Sequence, residues 1–148
     1  MDVQKAELLR GLSRDCVTEI MDIAIPESLG EGACLFFRGD PAGHFYFLLM
    51  GQVKLHLGET GKVVHHVSRP GEIIGWSGLV GREAFSASAE CTMPTEFHKI
   101  EVGKLREILE KNPVDGFVFF ENLSKILGDR LLQSYIQYDK VFVTSTVI

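Results

Sequence analysis

The middle of this chain is cut into short pieces, and that constrains its fold more than any other feature. Between residues 25 and 100 the longest apolar run is F-Y-F-L-L-M at Phe45–Met50, and turn residues interrupt the pattern every few positions. A helix needs a sustained 3.6-residue period over ten or more residues, and this region offers none. Cys34–Phe37 is followed at once by R-G-D-P-A-G. Val53, Leu55 and Leu57 alternate with Gln52, Lys54 and His56, the period of a half-buried strand. Gly58–Gly61 then turns the chain back through K-V-V-H-H-V, a hairpin signal. Pro70-Gly71 breaks it again before E-I-I-G, and two further apolar segments run from Phe85 to Cys91 and from Thr95 to Ile100. The 15 glycines in 148 residues fit this turn-rich organisation. About eight short strands at this spacing predict a sandwich or a closed roll.

The flanks have helical periodicity. Ser13 is placed to cap a helix with Asp15 in its first turn and Val17, Ile20, Met21 and Ala24 on one face, ended by Pro26. Leu105, Ile108 and Leu109 share a face of a second helix that ends near Asn112. Asn112-Pro113 then opens a third helix, Asn112 as N-cap, proline at the first position and Asp115 in the first turn. Its stripe of Phe120, Leu123, Leu127, Leu131 and Tyr135 reaches about Asp139. The expected organisation is one domain over 1–148. It comprises a helical piece (1–24), the strand region (25–100), the C-terminal helices (101–139) and a tail (140–148) that is a frayed end or an added strand.

Several function classes are disfavoured. The net charge of −5 lacks the clustered Lys and Arg of a nucleic-acid surface. No run of about 20 apolar residues could span a membrane, and the N-terminus has no secretory pattern, so a cytoplasmic location is expected. Cys16, Cys34 and Cys91 are odd in number and scattered, which reads as reduced core thiols. His65 and His66 are adjacent on a strand and leave by opposite faces, while His44, His56 and His98 follow no ligand spacing, so no metal is expected. No nucleophile elbow, P-loop or dinucleotide fingerprint is present, no cofactor is implied, and an enzyme is not expected.

The informative stretch is P-G-E-I-I-G-W-S-G-L-V-G-R-E-A-F-S-A-S-A from Pro70 to Ala89. A strand ends at Gly75, a glycine-containing turn follows, and a new strand begins near Phe85. Such a turn can aim backbone N–H groups at an anion, although a plain crossover would look the same. Together with L-L-R-G-L-S before the first helix, and G-A-C-L-F-F-R-G-D-P-A-G-H-F-Y-F-L-L-M-G-Q-V-K-L, it resembles the cyclic nucleotide-binding domain family, in the branch of catabolite-activator-like bacterial regulators. The resemblance covers nearly the whole chain. It implies an eight-stranded β-roll, a cupin-like jelly roll mainly of β structure, with flanking helices and a long C-terminal helix. Its phosphate-binding cassette would correspond to Gly75 through Ala89, with Gly75, Trp76, Ser77, Gly78, Leu79, Arg82, Glu83, Ala84, Phe85 and Ser86 as the candidate ligand-binding residues.

The departures bear on ligand choice. Where nucleotide-binding relatives carry a ribose-binding Glu after the cassette glycine, this chain has Trp76, which has no acceptor. The family's phosphate-pairing Arg falls on Glu83 or Ala84, and Arg82 is one or two places early. Each residue has a plainer role available: Trp76 and Phe85 as core aromatics, Arg82 as a solvated charge, Gly75 and Gly78 as backbone requirements. The leading expectation is a non-catalytic sensor module that binds a small, anionic ligand other than cyclic AMP in the roll and signals through the last helix. A homodimer would form through Phe120, Leu123, Leu127, Leu131 and Tyr135, as the resemblance implies. A helix-turn-helix domain often follows that helix in the family, and none fits in the ten or so residues left. An unidentified effector protein would then read the signal. The first alternative is a dimerisation or docking module whose pocket is filled by Trp76 and its neighbours. The second is a cupin-like metalloenzyme, which the histidine pattern disfavours.

Overall fold

The computed structural model describes residues 3–58 and 61–147, with side chains except at residue 4 and residues 141–147. Helix α1 (Arg14–Ile23) precedes eight strands: β1 (Ile25–Leu29), β2 (Cys34–Phe36), β3 (His44–Met50), β4 (Val53–His56), β5 (Val63–Val67), β6 (Ile73–Ile74), β7 (Ser88–Cys91) and β8 (Thr95–Glu101). Helices α2 (Val102–Lys111) and α3 (Pro113–Val147) follow. The strands form two four-stranded antiparallel sheets, in the orders β1-β8-β3-β6 and β2-β7-β4-β5. This is the mainly β roll with flanking helices that the family resemblance implies, one of the two architectures left open by the turn spacing.

Strand β3 shows how a period of two builds two cores at once. Phe45 and Phe47 face the helices and pack with Leu8, Leu9, Ile20, Leu105 and Phe119. Tyr46 and Leu48 point the other way, into the roll, among Phe36, Val53, Ile74, Phe85 and Phe97. Burying both faces makes β3 the most continuous apolar run in the chain, whereas the half-covered β4 alternates. Pro26 ends the reach of α1 and lies in β1, an edge strand, where a missing N–H costs no inner ladder bond.

The helix ends carry the predicted chemistry with one exchange of roles. Ser13 Oγ accepts from the Cys16 N–H at 3.3 Å, capping α1. Its own N–H and O–H donate to the two carboxylate oxygens of Asp115, at 2.7 Å each, which ties α1 to the first turn of α3 and holds that carboxyl below its usual range. Asn112 does not cap α3 with its side chain. Instead its Nδ2 donates to the Ile108 carbonyl at 2.8 Å and closes α2.

Helix α3 corrects two expectations. It runs through Val147, 35 residues or about 50 Å, so residues 140–147 continue the helix instead of forming a separate tail. The apolar stripe also does not form one free face. Leu123 is buried and Leu127 half-buried against the chain's own core, with Phe119 and not Phe120 facing inward. Phe120, Leu131 and Tyr135 are exposed at 37%, 52% and 59%.

The hairpin loop between β4 and β5 closes through the Gly61 N–H to the Gly58 carbonyl, with residues 59 and 60 outside the described residues. The three cysteines are free, and burial pushes each thiol up, Cys16 to about 11. Among the described residues no group of His, Cys, Asp and Glu could hold a metal ion, and no helix is long and apolar enough to cross a membrane.

Candidate functional site

The stretch after β6 forms a short 3-10 helix, Trp76–Val80, bounded by Gly75 and Gly81. Gly75 has φ 82°, the left-handed region, and a Cβ there would lie 3.0 Å from Phe85 and 3.1 Å from Phe36. Glycine is therefore required at this position for both conformation and space. At Gly78 the constraint is space alone, because a Cβ would collide with the carbonyl oxygen of Ala42. This close approach presses the short helix onto the segment entering β3.

The cassette residues divide between the two cores. Leu79 is 1% exposed in the helical core, and Trp76 packs against that same core from a half-buried position. Arg106 Nη2 on α2 reaches the Leu79 carbonyl at 3.4 Å. Phe85 is buried in the roll core on the other side. Ser77 is buried, and its carbonyl accepts the Arg82 N–H at 3.1 Å. The Phe85 N–H donates to the Asp40 carbonyl at 3.0 Å, and the Glu83 carbonyl accepts from Ala42. These amides and carbonyls are spent on the protein itself. Arg82, Glu83 and Ser86 are exposed, and Ala84, half-buried, makes an isolated bridge to Pro41.

The mouth of the roll is closed. Phe36 and Phe85 stack with ring centroids 3.6 Å apart at 13°, and Tyr46 and Phe97 extend the aromatic series inward. The remaining space, lined by Phe36, Leu55, Trp76, Phe85 and the turn backbone, is about 20 Å³, scarcely more than one water molecule requires. No Lys or Arg lines it. Trp76 is thus a wall residue and not the plug. The plug is the Phe36–Phe85 pair, and Phe36, from β2, is the residue that reading the sequence misses. Its place in C-L-F-F marked it only as a strand position. Neither Arg82 nor Glu83 lines the space at the mouth.

A polar cluster adjoins the start of β6. The Glu72 carboxylate accepts from the Arg69 N–H at 2.9 Å and from Arg69 Nε at 3.3 Å, with His65 Nε2 at 3.9 Å. Burial pushes its pKa up, but the nearby His65 ring and the bonds and charge of Arg69 outweigh that and bring it down to about 2. Arg130, on α3, donates from Nη2 to the Ile73 carbonyl at 2.6 Å. Nothing in the local sequence pattern announces this long-range cluster.

Residues 26–112 match the cyclic nucleotide-binding domain family. The fold matches a protein of Geobacter metallireducens GS-15, provisionally named as cyclic nucleotide-binding. The two are 27% identical with a TM-score of 0.78, over 87% of this chain and 95% of that one. A cyclic nucleotide-binding domain from Methylobacillus flagellatus KT is 24% identical with a TM-score of 0.77, over 91% of this chain and 77% of that one. The sensor domain of the transcriptional regulator DNR from Pseudomonas aeruginosa is 22% identical with a TM-score of 0.72, over 87% and 88%. No curated protein sequence matches the chain. With more than half its length matched, the chain belongs to the cyclic nucleotide-binding domain family, a family of regulatory, non-catalytic modules.

Proposed function

We propose that this protein is a regulatory module whose roll is closed to cyclic nucleotides and whose output is carried by α3. The Phe36–Phe85 stack carries this reading, because it fills the mouth with apolar rings and leaves about 20 Å³. An anionic ligand entering there would have to separate the rings and would meet no cationic side chain in the lining. The reading therefore favours a dimerisation or docking module over a roll that senses a small anion.

The cassette supplies the link to the helices. Leu79 and Trp76 pack on the helical core while Phe85 packs in the roll, so a movement at either side is felt at the other. The exposed end of α3, with Leu131, Leu132, Tyr135, Ile136 and Tyr138, is the surface for a second copy or an effector protein.

Calorimetry with cyclic AMP and cyclic GMP tests the closed roll. A charge-assisted phosphate contact and a charged acceptor for the ribose are each worth about 1.5–3 kcal/mol, and this roll lacks both. Each 1.4 kcal/mol is tenfold, so both nucleotides should bind more weakly than about 100 μM. Low-micromolar affinity for either would refute the closed roll.

A further inference from the structure

A cavity of about 260 Å³ opens between the N-terminal turn, the loop joining β5 to β6, and the middle of α3. Four cations line it, Lys5, Arg10, Arg69 and Arg130, in a chain whose net charge is −5. It shares no lining residue with the closed mouth of the roll, so it is a separate space.

Arg130 is the unusual member. Its Nη2 is committed to the Ile73 carbonyl, while Nη1 is sealed from solvent and has no acceptor among the described residues, so a ligand in the cavity reaches Nη1 only if the side chain shifts. A buried guanidinium nitrogen without an acceptor is costly, and such a group calls for a partner. Three carboxylates share the lining, Glu7, Glu72 and Asp129, but they do not supply one. The Glu72 oxygens face Arg69 and His65, and its charge favours the charged form of Arg130 without a bond to it, while among the described residues neither Glu7 nor Asp129 forms an ion pair with any of the four cations. Lys5, Arg10 and Arg130 likewise have no ion-pair partner among those residues.

We propose that this cavity binds a phosphate group, free or carried on a small metabolite, with Arg130 as its anchor and Lys5, Arg10 and Arg69 as its rim. A guanidinium fork matches the tetrahedral oxygens of phosphate, and several cations around one oxyanion multiply the charge-assisted bonds. The cavity is several times the roughly 30 Å³ share of a water molecule. It continues along β5 into a groove of about 650 Å³ through His65, Arg69, Glu72 and Gln133, which line both spaces, leaving room for the rest of a phosphorylated molecule. Because Arg130 bonds the carbonyl two residues before Gly75, a ligand here bears on α3 and on the strand that feeds the cassette.

The test uses the whole chain with inorganic phosphate, pyrophosphate and a sugar phosphate, each against chloride at matched ionic strength, by thermal shift and calorimetry. At least one phosphate compound should raise the melting temperature and bind with a Kd below about 1 mM. Phosphate or pyrophosphate binding as tightly as the sugar phosphate points to the free ion, and a clear preference for the sugar phosphate points to a metabolite. Arg130→Lys should weaken binding about tenfold or more, and the rim double variant Lys5→Ala with Arg10→Ala by a similar factor. Lys125→Ala, on α3 outside the cavity, should leave binding unchanged. If Arg130→Lys does not fold, the rim variant decides, since Lys5 and Arg10 are exposed. The site is overturned if no phosphate compound outperforms chloride, or if binding survives loss of the rim.

Discussion

Glu72 shows how a single half-buried group can set a pH limit. Its carboxyl is brought from the ordinary 4.5 to about 2 by the nearby His65 ring and the bonds and charge of Arg69, against the opposing effect of burial. A depressed folded-state value means that the charged form is stabilised by folding. The contribution is complete above about pH 5 and is lost as pH falls from there through 2. At 1.36 kcal/mol per unit it is worth about 3 kcal/mol at most. Urea unfolding across pH 7 to 2 should therefore show a steep acid limb in the wild type and a flatter one in Glu72→Gln. Parallel limbs in the two proteins would remove Glu72 from the account. At this scale the sequence was legible wherever chemistry is local. Ser13 was readable as a cap and Gly75 as a turn residue. Phe36, Glu72 and Arg130 were not, because their partners are distant along the chain.

Among the elements, α3 does two jobs along one length. Its first half buries Phe119 and Leu123 against the N-terminal turn and α2, and Asn122 Nδ2 donates to the carbonyls of Leu8 and Arg10 at 3.0 and 2.8 Å. Its second half leaves Leu131, Leu132, Tyr135 and Ile136 more than half exposed. The helical period correctly marks an apolar face but cannot say what covers it. Leu123→Ala should cost about 2–5 kcal/mol in denaturant unfolding, the range for emptying a packed core site. Tyr135→Ala should change the stability of the isolated chain by no more than about 0.5 kcal/mol, as exposed sites do. Equal losses at the two positions would mean that the stripe is one continuous core face.

For the whole molecule, the exposed half of α3 sets the assembly prediction. We expect a dimer by sedimentation, with Leu131→Asp giving monomers, since an unpaired charge would be desolvated in the contact. Leu131 is the right probe and Leu127 is not, because Leu127 also packs on the chain's own core. A wild-type protein that stays monomeric at high micromolar concentration would rule out this arrangement.

The sequence by itself determined the class of the fold. Most short apolar runs between glycines and prolines make strands, although Trp76–Val80 makes a 3-10 helix, and the 3.6-residue stripe after residue 113 makes a helix, because both signals are set by neighbours a few residues apart. The order of motifs also made the family legible, and residues 26–112 match it. What only the tertiary structure decided was which face of each element meets which other. Strand β2 brings Phe36 onto Phe85, 49 positions away in number, and α3 brings Arg130 onto the carbonyl of Ile73, 57 positions away. Whether a mouth is open and whether a charge is paired depend on such long-range meetings, which come from packing two sheets and three helices together and leave no local periodicity to read.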